Sequence, residues 1–212
     1  MKLPRFYPIL DTDTIRARGY DLISTAESLV DAGVRILQFR HKAAFDRSTF
    51  TLAEAVASLC RRRGVLFVVN DRADIAMLLK SGLHLGQSDL PPGSARKLMG
   101  EHAMIGFSTH NEDQLQNGDR EQVTYLAIGP IFDTTSKDRS DPFLGTGPLG
   151  TLRRLTSKPL VAIGGITRTN AREVLACGAD SVAVIGDLYP TDRKASSVGH
   201  RAEEWLRVTN EN

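Results

Sequence analysis

Short apolar runs alternate with longer stretches of helical period from one end of the chain to the other. The runs FYPIL (6–10), VRILQF (34–39), VLFVVN (65–70), GLHLG (82–86), AMIGF (103–107), TYLAIG (124–129), PLVAIG (159–164) and SVAVIG (181–186) are short, apolar and mostly bounded by turn residues, so they predict strands. Helical patterns follow at 20–32, 48–63, 72–80, 93–99, 111–117, 149–155, 168–176 and 196–207. Eight strand-then-helix units predict an α/β fold, a closed (β/α)8 TIM barrel forming a single domain over 1–212, with a C-terminal helix at about 196–207. An open doubly wound sheet is the structural alternative, although such sheets usually stop at fewer strands.

Turn chemistry marks the same divisions. DAG at 31–33, SG at 81–82 and CGAD at 177–180 read as helix stops that lead directly into a strand, because glycine tolerates a left-handed backbone. Asn70-Asp71 precedes a helix start, and LPPG at 90–93 supplies a proline-rich helix entry. The longest stretch without regular pattern is DTTSKDRSDPFLGTG at 133–147, a functional loop expected to close over a bound ligand.

One strand breaks the apolar pattern. In ILQFRHK (36–42), Gln38, Arg40 and Lys42 stand at alternate positions, so they share one face of the strand and its continuation, while His41 points to the other. A barrel places its chemistry at the C-terminal strand ends. Polar residues gather there repeatedly: Asn70-Asp71 after the third strand, Gln87 and Asp89 after the fourth, Ser108-Thr109-His110 after the fifth, and the DTTSK loop after the sixth. Arg40, Lys42 and Lys137 are cations suited to phosphoryl oxygens. Asp71 and Asp89, with Asn70, make a hard-oxygen set suited to Mg2+. Together they point to a magnesium diphosphate. A second anion site is expected where AIGGI (162–166) and VIGD (184–187) end the last two strands in glycines, with Asp187 turned outward or capping a helix. His84 within its strand fits a structural hydrogen bond as well as a ligand contact, and His110 at a strand end is placed to touch the site.

Composition narrows the class. At 212 residues, 41% hydrophobic and 25% charged, the chain can build one sizeable core. The formal charge is only +2, and the Arg61-Arg62-Arg63 triplet precedes a glycine, as cations at a helix C-terminus do, so no nucleic-acid partner is expected. Apolar runs fall far short of the roughly 20 residues that span a bilayer, so no membrane association is expected. Cys60 and Cys177 lie far apart with no CxxC and no signal-like leader, which predicts reduced thiols in a cytoplasmic protein. HxH, HExxH and Cys-His zinc spacings are absent. The tail around AEEWL is expected to pack Trp205 and Leu206 on the barrel, and a monomer or homodimer fits equally.

In order and spacing, FYPILDTD near the start, QFRHK (38–42), NDRADIA (70–76), LHLGQSDLP (83–91), GFSTH (106–110), GPIFDTTSK (129–137) and AIGGITRTN (162–170) together resemble the thiamine-phosphate synthase family as far as about residue 187. The resemblance implies a transferase that joins a hydroxymethylpyrimidine diphosphate to a thiazole phosphate, giving thiamine phosphate and diphosphate. It implies catalytic roles for Arg40, Lys42, Ser108 and Lys137. Gln38, Phe39, Arg40, His41, Lys42, Asn70, Ser108 and Lys137 would hold the pyrimidine diphosphate. Thr134, Thr135, Ser136, Gly164, Gly165, Ile185 and Gly186 would receive the thiazole phosphate, and Asp71 and Asp89 would bind Mg2+. Asp133 and Ser136 stand where the family commonly has Pro and Thr, and the serine usual near Gly186 is missing, which removes a side-chain donor from the phosphate site. The alternatives are a thiazole tautomerase with His110 as proton shuttle, another phosphosugar-binding barrel, and a non-catalytic thiamine-phosphate-binding regulator.

Overall fold

Parallel strands pair in chain order, and the eighth returns to the first, so the sheet is a closed barrel without a free edge. The computed structural model describes residues 2–133 and 142–210. The strands are β1 Phe6–Asp11, β2 Ile36–Arg40, β3 Leu66–Asn70, β4 Gly82–Leu85, β5 Ile105–Thr109, β6 Tyr125–Ile128, β7 Leu160–Ile163 and β8 Ser181–Val184. The helices are α1 Thr12–Arg18, α2 Leu22–Asp31, α3 Arg47–Arg63, α4 Ala73–Leu79, α5 Pro92–Met99, α6 Glu112–Arg120, α7 Leu149–Arg153, α8 Ala171–Ala176 and α9 Ala195–Asn210, with a 3-10 turn at Gly186–Leu188. The expected TIM barrel is the observed fold.

Strand alternation divides the core in two. One parity of each strand faces the barrel interior, including Tyr7, Ile9, Gln38, His84 and Tyr125. The other packs beneath the helices: Phe39 meets Phe45 edge-on, and Phe6 stacks on Trp205 of α9 at 5.3 Å between ring centroids. Trp205 is fully buried and Leu206 packs on the core, as the tail pattern predicts. Helix α9 lies against α2 at Gly199, where an added Cβ would stand 3.2 Å from the Ser28 carbonyl oxygen.

Three differences from the sequence reading have physical causes. Helix α1 was not expected, because TDTIRAR buries only Ile15 and so carries no amphipathic stripe. It forms through its ends instead. Asp11 accepts from the Thr14 amide at 2.8 Å, and Gly19 closes the C-terminus in the left-handed region. Strand β5 runs two residues beyond the predicted end at 107, since Ser108 and Thr109 pair with Ala127 and Ile128 of β6 despite their polar side chains. The last three strands end before the glycines assigned to them, leaving Gly129, Gly164 and Gly186 in the loops. Most of the 133–147 loop lies outside the described residues. Its far end returns to the barrel, where the Leu144 and Gly145 amides donate to the Pro130 and Ile131 carbonyls at 2.9 and 2.8 Å. Among the described residues no helix is long and apolar enough to cross a membrane.

Candidate active site

The C-terminal mouth of the barrel opens into a cavity of about 820 Å3 whose lining comes from all eight strands or the loops that follow them. Its floor is a continuous polar chain inside the barrel. The Gln38 amide nitrogen donates to the Tyr7 hydroxyl at 3.0 Å, and the Tyr7 and Tyr125 hydroxyls meet at 3.0 Å. Tyr125 reaches His84 Nδ1 at 2.9 Å, and His84 Nε2 reaches Ser108 Oγ at 2.8 Å. Tyr125 fits because its register partner is Gly106: a Cβ there would collide with the Tyr125 ring. Burial pushes the Tyr7 hydroxyl up to about 12 and that of Tyr125 well above its ordinary value, so both stay protonated near neutral pH.

Above the floor stand the charged groups. Arg40 ends β2 with its guanidinium paired to Asp11, whose other oxygen caps α1. Lys42 Nζ is 2.5 Å from Asp71 Oδ2. Asp71 has φ +65°, a left-handed backbone rare for a residue with a side chain, and its amide donates to the His84 carbonyl at 2.7 Å. The Asp71 carboxyl is raised above the usual carboxylate range, first by burial and then by the Asp89 carboxyl within hydrogen-bonding reach, with Lys42 acting in the opposite sense. Asp89 Oδ2 in turn accepts from the Gly86 amide at 2.6 Å. The Asn70 amide nitrogen is buried and has no hydrogen-bond partner among the described residues. Two adjacent carboxylates fit a hard divalent cation that keeps most of its ligands as water or substrate oxygen, and the unpartnered Asn70 N–H group fits an acceptor oxygen of a substrate beside it. No cluster of three or more His, Cys, Asp or Glu side chains placed to hold a metal occurs among the described residues.

The side chains of Gln38, Arg40, Lys42, Asn70, Asp71, Asp89 and Ser108 therefore share one mouth, as alternation implied for the first three and position at the strand ends implied for the rest. Phe39 and His41 do not contribute theirs. Phe39 is buried on the helix side, and the His41 ring bonds Thr12 Oγ1 at 2.8 Å and sits edge-on to Phe45, so alternation, which set His41 away from the mouth, is the better guide to both. His110 lines the cavity with Nδ1 2.6 Å from the Gly129 carbonyl. Gly164 and Gly165 have φ +98° and +63°, and a Cβ on either would stand 2.6 Å from Pro130 Cα or 2.5 Å from the Asp133 carbonyl oxygen. These glycines let the loop after β6 lie directly on the end of β7. Ile185 lines the cavity, and Gly186 opens the 3-10 turn, its carbonyl accepting from Arg18 at 3.0 Å. Asp187 turns away from the mouth, as expected, to accept from Arg168 Nε at 2.9 Å. Thr134, Thr135, Ser136 and Lys137, together with the expected loop closure, lie outside the described residues.

Sequence reasoning missed three residues of this site: Asp11, Tyr7 and Tyr125. The signal for the tyrosines was strand parity, since both alternate onto the same interior face as Gln38.

A family model described as thiamine monophosphate synthase matches residues 6–188. The chain belongs to the thiamine monophosphate synthase family. It is 45% identical to the thiamine-phosphate synthase of Koribacter versatilis over 211 residues, covering 98% of this chain and 97% of the relative. It is 43% identical to that of Chlorobium phaeovibrioides over 177 residues, 82% of this chain and 85% of the other. Among solved structures, thiamine phosphate pyrophosphorylase from Pyrococcus furiosus superposes with a TM-score of 0.83 at 27% identity, covering 98% and 96% of the two chains. Membership of the thiamine monophosphate synthase family makes this chain an enzyme, a transferase of thiamine phosphate synthesis.

Proposed function

We propose that the enzyme joins 4-amino-2-methyl-5-hydroxymethylpyrimidine diphosphate to a thiazole phosphate, releasing diphosphate and forming thiamine phosphate. The observation that carries this reading is the meeting of Arg40 and Lys42 with the Asp71–Asp89 pair at one mouth. Cations alone serve any anion, whereas cations beside two carboxylates and an unpartnered amide suit a metal-bound diphosphate. Asp71 and Asp89 would hold Mg2+, with Asn70 beside them. When bound, Mg2+ supplies positive charge that offsets the charge of the departing diphosphate.

The chain's own groups do the rest. Arg40 and Lys42 bind diphosphate oxygens and favour departure of the leaving group, a task in which Lys137 joins them. Ser108 and the floor beneath it orient the pyrimidine diphosphate so that its methylene carbon faces the thiazole nitrogen. That nitrogen attacks as a free lone pair, so no general base is needed. The glycine-bearing loops after β7 and β8, with Thr134, Thr135 and Ser136, take the thiazole phosphate. On this reading the partners are small phosphorylated molecules, neither nucleic acid nor membrane, and the setting is cytoplasmic.

The deciding experiment follows diphosphate release with both substrates and Mg2+, in wild type and Asp71→Ala. Synthesis by the wild type and its sharp loss in the variant are expected. Binding of thiamine phosphate without diphosphate release would identify a regulator instead. A thiazole tautomerase is the second reading, favoured by His110 at the cavity wall. It predicts thiazole conversion without any diphosphate substrate.

A further inference from the structure

The floor of the cavity contains more hydrogen-bonding groups than support alone requires, and their order has a direction. Five side chains from five strands form one line: Gln38 of β2, Tyr7 of β1, Tyr125 of β6, His84 of β4 and Ser108 of β5. Each hydroxyl has one proton to give. Because the Gln38 amide nitrogen donates to Tyr7, the Tyr7 proton must go onward to Tyr125, and the Tyr125 proton to His84 Nδ1. His84 Nδ1 is then an acceptor. Its proton sits on Nε2 and is donated to Ser108 Oγ, and the Ser108 proton is left to face the cavity that Ser108 lines.

With the Gln38 amide nitrogen as the donor to Tyr7, other protonation states fail the same count. A proton on His84 Nδ1, in either the neutral or the cationic ring, would be donated to Tyr125 and would turn the Tyr125 proton back to Tyr7. The Tyr7 hydroxyl would then accept twice and hold a proton with no acceptor in the line, on a side chain that is fully buried. Leaving such a group unsatisfied costs about 1–3 kcal/mol. The outward Ser108 proton also matches the charge of the mouth, where Arg40 and Lys42 already favour an anion.

We infer that Tyr7, Tyr125 and His84 are positioning residues, a directional relay that holds His84 as the neutral Nε2–H tautomer and makes Ser108 a hydrogen-bond donor to the substrate. The functional half rests on the diphosphate reading above; the tautomer does not.

Two measurements test it separately. Long-range 1H–15N correlation spectra of the ligand-free enzyme at neutral pH, with the ring assigned by its loss in His84→Gln, should show His84 protonated at Nε2 and bare at Nδ1. A ring protonated at Nδ1 overturns the relay. Calorimetric titration with inorganic diphosphate and Mg2+ should then show Ser108→Ala and Tyr125→Phe each weakening binding about tenfold, the worth of one hydrogen bond to a charged group. The double variant should bind no more weakly than Ser108→Ala alone. Additive losses overturn the coupling of Tyr125 to Ser108, since a merely structural tyrosine would act independently of the serine. Unchanged affinity in Ser108→Ala overturns the placing of diphosphate at that hydroxyl, and with it the functional half, while the spectrum still decides the tautomer.

Discussion

Asp11 divides its two carboxylate oxygens between two tasks, and substitution separates them. One oxygen accepts from the Thr14 amide and hydroxyl at 2.8 and 2.7 Å and so starts α1; the other holds the Arg40 guanidinium. Asp11→Asn keeps its one side-chain oxygen for the cap and so turns the amide nitrogen, a donor, toward Arg40. Breaking a buried pair by removing one charge costs about 3–5 kcal/mol. This pair sits at the mouth, with side-chain exposures of 14% for Arg40 and 6% for Asp11, so Arg40 regains some water and the low end, about 3 kcal/mol, applies. Asp11→Ala also loses the cap and should cost about 1 kcal/mol more. With a urea slope of about 3 kcal/mol/M, the unfolding midpoint should fall by about 1 M in the Asn variant and by about 1.3 M in the Ala variant. In an Arg40→Met background the Asn substitution should cost little, because the charge it abandons is gone. An equal loss in both backgrounds, or a wild-type midpoint for Asp11→Asn, would refute the claim that Asp11 holds Arg40.

Trp205→Ala should lower stability by about 3–5 kcal/mol, read as a fall in melting temperature, because it empties a fully buried site stacked on Phe6. Gly106→Ala should cost about 3 kcal/mol and weaken diphosphate binding together with stability, since the new methyl displaces the Tyr125 ring and with it the floor. Burial pushes the Cys60 thiol from about 9 up to about 12, so the folded state holds its proton more tightly than the unfolded state. This contribution to stability is complete below pH 9 and is lost as pH rises from 9 toward 12. Near pH 8 a disulfide-exchange reagent should therefore leave Cys60 unmodified until denaturant is added; rapid labelling in the native protein would contradict its burial.

How much of this was legible in the chain depends on the range of the interaction involved. The barrel was, because each strand carries its own apolar run and each helix its own period. Gln38, Arg40 and Lys42 were legible through alternation, and Asp71 and Asp89 through their place after strands. Strand parity marks the inward face of Tyr125, but its fit against Gly106 was not legible, because it depends on a register between β5 and β6 that neither segment displays alone. Asp11 was hidden for a related reason: it ends an apolar strand, and its partner Arg40 lies on the next strand of the barrel. Helix α1 is not legible in the apolar pattern because it carries end caps at Asp11 and Gly19 and only one buried residue, Ile15.

The seam between β1 and β8 also governs how the molecule can be made. A ribosome delivers β1 first, yet one edge of that strand has no partner until β8 exists, and Phe6 lacks its cover until Trp205 of α9 follows. The nascent barrel must therefore carry an open, apolar edge through nearly all of its synthesis. The duration of that exposure during translation is set by the length of chain between those two partners.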